Sequence, residues 1–275
     1  MGETFLNSTL GRNGPAVFRL GLSASYRPGR ETVHRAIDEG LNYFFFFGFD
    51  SHMISVLRER IPQDRERYVI ACGAYNYVWW RQNFRRALET RLRQLKTDYI
   101  DVFHFLGVTR EKEFPPRLQD ELAALKETGK VRAISMSTHD RPFAGRMAAA
   151  GRLDAMMVRY NAAHRGAETD IFPHLETHRP GVVSFTATRW RFLMRRPRKW
   201  PKDAAVPTAG ECYRFVLSNP NVDVCLTAPT SLKQFEANLA AVRQGPLDAD
   251  HHHYMCRFGD AVRAATKHQK LFAFN

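Results

Sequence analysis

The sequence predicts an α/β protein of the (β/α)₈ barrel class, and three observations lead to this prediction. Short runs of β-branched and aromatic residues alternate with amphipathic segments of helical length, which is the pattern of βα units around a parallel sheet. About eight such pairs follow one another along the chain. The 275 residues, of which 44% are hydrophobic, are enough for one large core. Because no linker or low-complexity segment divides the chain, we predict a single domain over residues 1–275.

The predicted strands are short apolar runs, and the segments between them have helical periodicity. The clearest helix is RQNFRRALETRLRQL, in which Phe84, Leu88, Leu92 and Leu95 recur at steps of three or four residues. The eight predicted strands are VFRLGL from Val17, NYFFFF from Asn42, RYVIAC from Arg67, YIDVFHFL from Tyr99, VRAISMS from Val131, DAMMVRY from Asp154, GVVSFTA from Gly181 and VDVCLTA from Val222.

The segments outside these pairs are predicted to pack on the barrel. Before Val17, Gly11 and Gly14 favour turns, and we expect this stretch to form a small hairpin that caps the barrel floor. Gly129 is expected to end a helix immediately before the fifth strand. After the eighth helix, residues 231–242, the segment DADHHHYMCRFGDAVRAATKHQK predicts one further helix outside the barrel.

Positive charge is the strongest compositional feature. The formal net charge is +13, which attracts anions such as nucleotides, phosphorylated substrates, nucleic acid or a membrane surface. The run RWRFLMRRPRKWPK, from Arg189 to Lys202, carries seven Lys or Arg and no acid. Phosphate sites of (β/α)₈ enzymes commonly lie on the loops after strands seven and eight, and this run begins where the seventh predicted strand ends. We therefore predict an anion site there; a solvated basic loop and a nucleic-acid surface are the alternatives, and nucleic acid is the less favoured partner.

Compartment and metal content are predicted from what the sequence lacks. No stretch approaches the roughly 20 apolar residues of a membrane span, and the first residues lack the apolar core of a signal peptide, so we expect a cytoplasmic protein without a membrane partner. His252 and Cys256 are spaced as metal ligands on a helix, but their acidic, exposed context argues against a metal site. The four cysteines lack C-x-x-C spacing and are expected to be free thiols: Cys72, Cys212, Cys225 and Cys256.

Five segments in order resemble the aldo-keto reductase superfamily. AIDEGLNYF is similar to the family's entry into strand two, LKTDYIDVF to its junction of helix three and strand four, and LKETGKVRAISMST to the segment leading into strand five. VRYN resembles strand six, and PTSLKQFEANLAAV resembles the start of helix eight. The resemblance covers nearly the whole chain. It implies an aldo-keto reductase-like (β/α)₈ TIM barrel and hydride transfer between a nicotinamide cofactor and a carbonyl.

The residues that the family uses for acid catalysis do not match. In the family, a Tyr donates a proton, a Lys paired to an Asp tunes its pKa, and a His orients the substrate. The Asp position is Phe45 here, the Lys position is Gly73 and the His position is Leu106, while the Tyr position falls at Asp50, or at Phe49 with a shorter loop. All four roles are therefore vacant, and the family's acid catalysis has no visible carrier. The family's catalysis is therefore predicted to be lost or rebuilt.

The implied nicotinamide site is only partly kept. The strand-five pair that holds the amide is a Ser followed by an Asn in the family and becomes Ser137 and Thr138 here, while the strand-six Gln becomes Met157. The aromatic residue that stacks on the nicotinamide aligns with Ala187, although Trp190 lies three residues on.

The implied adenosine site is also mixed, since Ser231 and Asn238 match the family pattern whereas Thr230 and Gln234 replace basic residues. The resemblance together with the basic loop predicts NADP(H) as cofactor. The predicted cofactor-binding residues are Ser137, Thr138, Thr188, Arg189, Trp190, Arg191, Ser231 and Asn238.

Candidate catalytic residues follow from strand alternation. Tyr43, Phe45 and Phe47 are expected to share the barrel-facing side of the second strand, and His104 shares a face with Leu106 one layer deeper. The predicted catalytic residues are Tyr43, Asp50 and His104, although a core histidine is the commoner reading of His104. Beyond the strand ends, Tyr75, Trp79, Trp80 and His139 are candidates for lining a substrate pocket.

Three functional hypotheses remain open from the sequence. The first is a divergent NADP(H)-dependent oxidoreductase that acts on a small carbonyl or hydroxyl compound. The second is an inactive pseudoenzyme that binds a nucleotide or a hydrophobic small molecule. The third is non-redox chemistry in an apolar barrel pocket, with His104 or Asp50 as base.

Overall fold

A computed structural model describes residues 5–48, 50–77 and 80–266, and eight of its strands close a parallel barrel, which confirms the predicted fold class. The ten strands are β1 (Asn7–Thr9), β2 (Ala16–Phe18), β3 (Leu20–Ser23), β4 (Tyr43–Phe45), β5 (Val69–Tyr75), β6 (Ile100–Val108), β7 (Val131–Thr138), β8 (Ala155–Arg159), β9 (Gly181–Phe185) and β10 (Val224–Thr227). The α-helices are α1 (Arg30–Asp38), α2 (Ser51–Arg60), α3 (Phe84–Leu95), α4 (Pro116–Glu127), α5 (Arg141–Ala150), α6 (Ala167–Asp170), α7 (Ala209–Leu217), α8 (Leu232–Val242) and α9 (Ala249–Ala265).

The barrel runs from β3 to β10 in sequence order and closes where β10 pairs with β3. The predicted first strand, VFRLGL, is divided in the structure between β2 and β3, because Arg19 turns into the protein between them. Its buried guanidinium donates hydrogen bonds to the carbonyls of Phe5, Leu217 and Val222 at 2.7–3.2 Å. Arg19 thus ties the start of the barrel to the segment that leads into its last strand.

The N-terminal hairpin closes the barrel floor, as predicted. β1 and β2 pair antiparallel, and Leu10 and Val17 join the cluster of apolar side chains inside the barrel. The hairpin is held by Asp223, whose buried carboxylate accepts hydrogen bonds from the backbone N–H of Gly11 at 3.1 Å and that of Val182 at 2.9 Å, and from Arg179 at 2.9 and 3.1 Å. A buried carboxylate with this many donors fixes the floor in one position.

The helices follow their sequence signals closely. Asn83 caps α3 by accepting from the N–H of Arg86, which is why the helix begins at Phe84 and not at Arg81. Gly129 lies just after α4 with φ +71°, where a side chain would be strained. The further helix predicted at the end is α9, which packs outside the barrel. Within the described ranges, no helix has both the length and the apolar character needed to cross a bilayer.

Candidate functional site

The site lies at the C-terminal mouth of the barrel, where the carboxyl ends of the parallel strands meet. Tyr43, Phe45 and Phe47 face inward, as the alternation predicted, and they pack with the inward side chains of the other strands. Leu106 and Met157 belong to the same interior cluster. The positions that carry acid and base groups in the resembling family therefore form an apolar layer here.

Gly73, at the position of the family's Lys, has a structural reason to be glycine. A Cβ built on Gly73 would lie 2.1 Å from the carbonyl oxygen of His104 on the neighbouring strand β6. No real Cβ makes such a contact with backbone, so β5 and β6 would have to move apart for any side chain to fit. The backbone therefore leaves no room for a lysine, or for any other side chain, at this position.

Tyr43 and His104, two of the predicted catalytic residues, are sealed inside the barrel. Both are 0% exposed, and neither the Tyr43 hydroxyl nor either ring nitrogen of His104 has a hydrogen-bond partner among the described residues. Burial raises the pKa of Tyr43 and lowers the pKa of His104 to about 3. The ring of Phe45 packs edge-on against the His104 imidazole, with centroids 5.6 Å apart. Neither group is accessible from the mouth in this structure.

Asp50, the third predicted catalytic residue, caps a helix. Its Oδ1 accepts a hydrogen bond from the N–H of Met53 at 2.7 Å, so it forms the N-cap of α2. The side chain is 2% exposed, and Oδ2 has no partner in the described part of the chain. Phe49, the alternative match for the family's Tyr, lies outside the described residues. A helix cap accounts for an Asp at position 50 without a catalytic role.

A column of packed aromatic rings extends from the barrel interior to the protein surface. Successive ring centroids are 5.0 Å apart from Phe45 to Phe47, 5.9 Å to Tyr75, 5.4 Å to Tyr77 and 4.8 Å to Trp80. Tyr77 and Trp80 are 41% and 58% exposed. Three of the rings are nearly parallel, with interplanar angles of 25° and 24°. This column forms the wall of the mouth on the β4 and β5 side; Trp79, also predicted to line the pocket, lies outside the described residues.

The predicted nicotinamide residues Ser137 and Thr138 lie at the end of β7, two strands along the barrel from β5. The Ser137 hydroxyl accepts a hydrogen bond from the N–H of Gly107 at 2.9 Å, and that of Thr138 accepts from the N–H of Asp140 at 3.0 Å. Both hydroxyls therefore have defined positions and can still donate. Met157 offers no amide at the position of the family's Gln.

The structure corrects the alignment of the stacking aromatic residue. β9 ends at Phe185, so the aromatic side chain at the end of that strand is Phe185 and not Ala187, which is buried in the outer core. Phe185 packs against the interior cluster, and its ring lies 5.5 Å from that of His139. Sequence reasoning missed Phe185 because it extended the strand by two residues.

The loop after β9 has an unusual backbone. Arg189, Trp190 and Arg191 are three consecutive residues with positive φ, at 49°, 51° and 72°, a conformation that costs energy for residues with side chains. The backbone is held by hydrogen bonds from the N–H of Arg189 to the carbonyl of Thr186 at 2.8 Å and from Leu193 to Thr188 at 3.2 Å. The loop follows a C-terminal strand end, so the basic run lies at the predicted mouth.

Arg189 differs from the other cations of this loop in its burial. Arg191, Arg195 and Arg196 are exposed, whereas Arg189 is 8% exposed and its Nη1 has no partner among the described residues. Burial lowers the pKa of Arg189, and the charge of Arg263 on α9 lowers it further.

Around Arg189 the structure assembles positive groups that the sequence did not bring together. Arg159 ends β8, is 9% exposed, and is the register partner of Phe185. Burial lowers the pKa of Arg159 to about 10, assisted by the charges of Arg141, Arg189 and Arg263. The same four arginines, after burial, lower the pKa of His164 to about 3. Nothing in the sequence marks this convergence, because the residues come from four separate elements.

Ser231 and Asn238, the predicted adenosine residues, lie at and in α8. Ser231 is the N-cap of that helix and accepts from the N–H of Gln234 at 3.3 Å. The buried Asn238 amide donates to the Thr227 hydroxyl at 3.2 Å. Both residues have structural partners, and their role toward a nucleotide stays a prediction.

No set of three His, Cys, Asp or Glu side chains suited to a metal ion occurs within residues 5–48, 50–77 and 80–266. His252, considered as a ligand with Cys256, stacks on Phe215 with ring centroids 4.8 Å apart. The four cysteines are free, as expected, and three of them are buried.

Comparison with known proteins gives one family match and many structural matches. The model of the Aldo/keto reductase family matches residues 29–189, more than half of the chain. No curated protein matches the sequence. Among solved structures, the holo form of an aldo-keto reductase from Bacillus halodurans superimposes with a TM-score of 0.77 at 19% identity, over 93% of this chain and 96% of that one. A Pseudomonas aeruginosa protein that carries an aldo-keto reductase assignment gives a TM-score of 0.67 at 20% identity, over 87% of this chain and 94% of its own.

Proposed function

Because the chain belongs to the Aldo/keto reductase family, we propose that it binds NADP(H) at the C-terminal mouth of its barrel and does not reduce carbonyls through the family's acid chemistry. The family and the fold suggest an oxidoreductase, and the holo form of the Bacillus halodurans relative supports a nucleotide cofactor. The finer proposal, a nucleotide-binding protein without the tetrad, is carried by one observation. The layer of the barrel that would hold the proton donor is apolar, and Tyr43 and His104 are sealed beneath Phe45.

The residues at the mouth fit a nicotinamide dinucleotide by their chemistry. Phe185 supplies a ring at the end of β9 that could stack on a planar heterocycle, and Ser137 supplies a hydroxyl for a carboxamide. The exposed cations of the following loop, Arg191, Arg195 and Arg196 among them, suit the phosphates and favour the extra 2′-phosphate of NADPH. When bound, the nucleotide would supply a hydride; this chain's residues would hold and orient it.

The proposal is tested by titrating tryptophan fluorescence with NADPH and NADH at low and high salt. Trp190, 41% exposed in the basic loop, is a natural reporter. We expect NADPH to bind more tightly than NADH and added salt to weaken it, because exposed charges are screened. Arg191→Ala should weaken NADPH binding by about tenfold, the lower end of a charge-assisted hydrogen bond.

Arg85→Ala is the matched control, since Arg85 is an exposed arginine on α3, far along the chain from the basic loop. It should leave binding unchanged. Turnover of simple aldehydes with NADPH should fall far below the roughly 10 per second that is typical of enzymes. Absence of binding by either nucleotide, or equal binding without salt dependence, would overturn the cofactor proposal.

A second candidate function is an oxidoreductase with a relocated proton donor, and Tyr75 favours it. Tyr75 ends β5 beside Leu106, faces the mouth, and is held between the rings of Phe47 and Tyr77. Burial raises its pKa, so the phenol is neutral at physiological pH. A carbonyl oxygen that becomes an alkoxide is a stronger base than a phenolate, so Tyr75 Oη could protonate it. Appreciable aldehyde turnover that Tyr75→Phe abolishes and the sealed Tyr43→Phe retains would establish this candidate over the first.

A further inference from the structure

A cavity of about 460 Å³ opens at the barrel floor, beside the N-terminal hairpin. Three of its lining residues place it there, because Arg12 belongs to the hairpin turn, Arg179 precedes β9 and Asn221 precedes β10. The cavity lies against the crossover between β8 and β9, which contains only the four-residue helix α6 and the short 3-10 helix Phe172–Leu175. Ligand pockets commonly occupy about 300–1,000 Å³, so the cavity has room for a small molecule.

A chain of hydrogen bonds fixes one side of the cavity. The Tyr160 hydroxyl donates to Oε1 of Glu168 at 2.5 Å and accepts from the side-chain amide of Asn219 at 3.2 Å. Oδ1 of Asn219 accepts in turn from the backbone N–H and the side-chain amide of Asn221, at 3.0 and 3.3 Å. Because Tyr160 is 0% exposed, the chain is anchored in the core. It holds Glu168 and Asn221 in position at the cavity wall.

Three acceptor groups of the lining are available to a ligand. Within residues 5–48, 50–77 and 80–266, no cation pairs with the carboxylate of Glu168 or of Glu176, and Oδ1 of Asn221 accepts no hydrogen bond. An ammonium group has three N–H donors, which is the number of these acceptor groups. Two carboxylates without a cation are also unusual in a chain whose net charge is +13. This side of the cavity therefore favours an ammonium group.

The same cavity contains one guanidinium whose charge is available. The backbone N–H of Arg12 donates to the carbonyl of Arg179, and its Nη2 donates to the carbonyl of Glu176, both at 3.0 Å. In the described part of the chain, Arg12 is paired with no carboxylate, whereas Arg179 is paired with Asp223 at 2.9 Å. Arg12 can therefore form a charge-assisted hydrogen bond to an acidic group of a ligand.

We propose that this cavity binds a small zwitterion of the amino-acid class. Arg12 holds its carboxylate, and the three acceptor groups hold its ammonium group. Phe172 and Leu175, which also line the cavity, supply an apolar surface for a hydrocarbon side chain. The site is separate from the proposed nucleotide site, which lies at the C-terminal mouth of the barrel.

The test is calorimetric titration of the full chain with L-phenylalanine and two analogues at low ionic strength. The analogue 3-phenylpropanoate lacks the ammonium group, and 2-phenylethylamine lacks the carboxylate. We expect saturable binding of phenylalanine with a rise in Tm. Each analogue should bind about fivefold more weakly, which is the size of one exposed ion pair. Absence of saturable phenylalanine binding, or equal binding of either analogue, would overturn the proposal.

Two variants test whether phenylalanine binds in this cavity. Glu176→Gln removes an exposed negative charge and should weaken binding about fivefold. Glu168→Gln keeps an acceptor for the Tyr160 hydroxyl and should weaken binding as well. Glu127→Gln is the matched control, since Glu127 is exposed on α4, between β6 and β7, and its replacement changes the net charge equally. Circular dichroism checks that all three variants fold. If both cavity variants bind phenylalanine as tightly as Glu127→Gln does, the ligand lies elsewhere and the proposal is wrong.

Discussion

Replacing His104 should make the barrel more resistant to acid. The pKa of His104 is lowered by burial to about 3, from an ordinary value of 6.5. Between these two pH values the unfolded chain binds a proton at this imidazole and the folded chain does not, so stability rises with pH across this window and is lost as the pH falls through it. At pH 5, which is 1.5 pH units below the ordinary pKa, this one group lowers the free energy of unfolding by about 2 kcal/mol, at about 1.4 kcal/mol per pH unit.

The experiment compares urea unfolding of the parent chain and His104→Leu at pH 8 and pH 5. The variant also removes two buried nitrogens that have no hydrogen-bond partner among the described residues, so its free energy of unfolding at pH 8 should equal or exceed that of the parent. At pH 5 its advantage should grow by about 2 kcal/mol. His139 and His164 also have lowered pKa values, but they act equally in both proteins. Exposed His253→Gln is the control and should follow the parent. An advantage that stays the same at both pH values would refute the argument that His104 is buried and neutral.

Two further substitutions test the buried carboxylate at the barrel floor and the glycine at the family's lysine position. Asp223→Asn should lower the free energy of unfolding by roughly 3 kcal/mol, because Arg179 loses its buried charge partner and the N–H of Val182 loses a strong acceptor. Chemical denaturation measures this change. A loss below about 1 kcal/mol would show that the carboxylate does not anchor the floor. Gly73→Ala should cost roughly 2 kcal/mol or more, since its Cβ would collide with the carbonyl of His104; an unchanged Tm would mean that β5 and β6 separate easily and that the lysine position could be refilled.

The barrel could be predicted because its information is local. Period-two alternation placed Tyr43, Phe45 and Phe47 on the inner face, and the structure agrees. The same pattern could not give the length of the strand: NYFFFF forms a strand only over Tyr43–Phe45, since the chain turns toward Gly48, which has φ +95°. Asp50 immediately before a helical segment is an ordinary N-cap signal, and that signal could have identified its structural role.

The cationic cluster could not be predicted, because no spacing in the sequence encodes it. Arg159, His164, Arg189 and Arg263 come from β8, the loop after it, the loop after β9 and α9, and only the tertiary fold brings their charges near one another. The density of charge identified the basic loop in the sequence. Arg189, which is buried in the structure, has the same local sequence context as its exposed neighbours. Burial of one arginine among several depends on tertiary packing, and charge counting cannot detect it.

During synthesis the barrel cannot close until the segment that leads into its last strand has been made. The carbonyl of Val222, which leads into β10, lies 203 residues after Arg19, which bonds to it next to β3. At ribosomal rates of about 5–20 residues per second, the barrel stays open for roughly 10–40 s after Arg19 has been added. Throughout that interval the backbone groups along one side of β3 have no strand to pair with, and another nascent chain could take the place of β10.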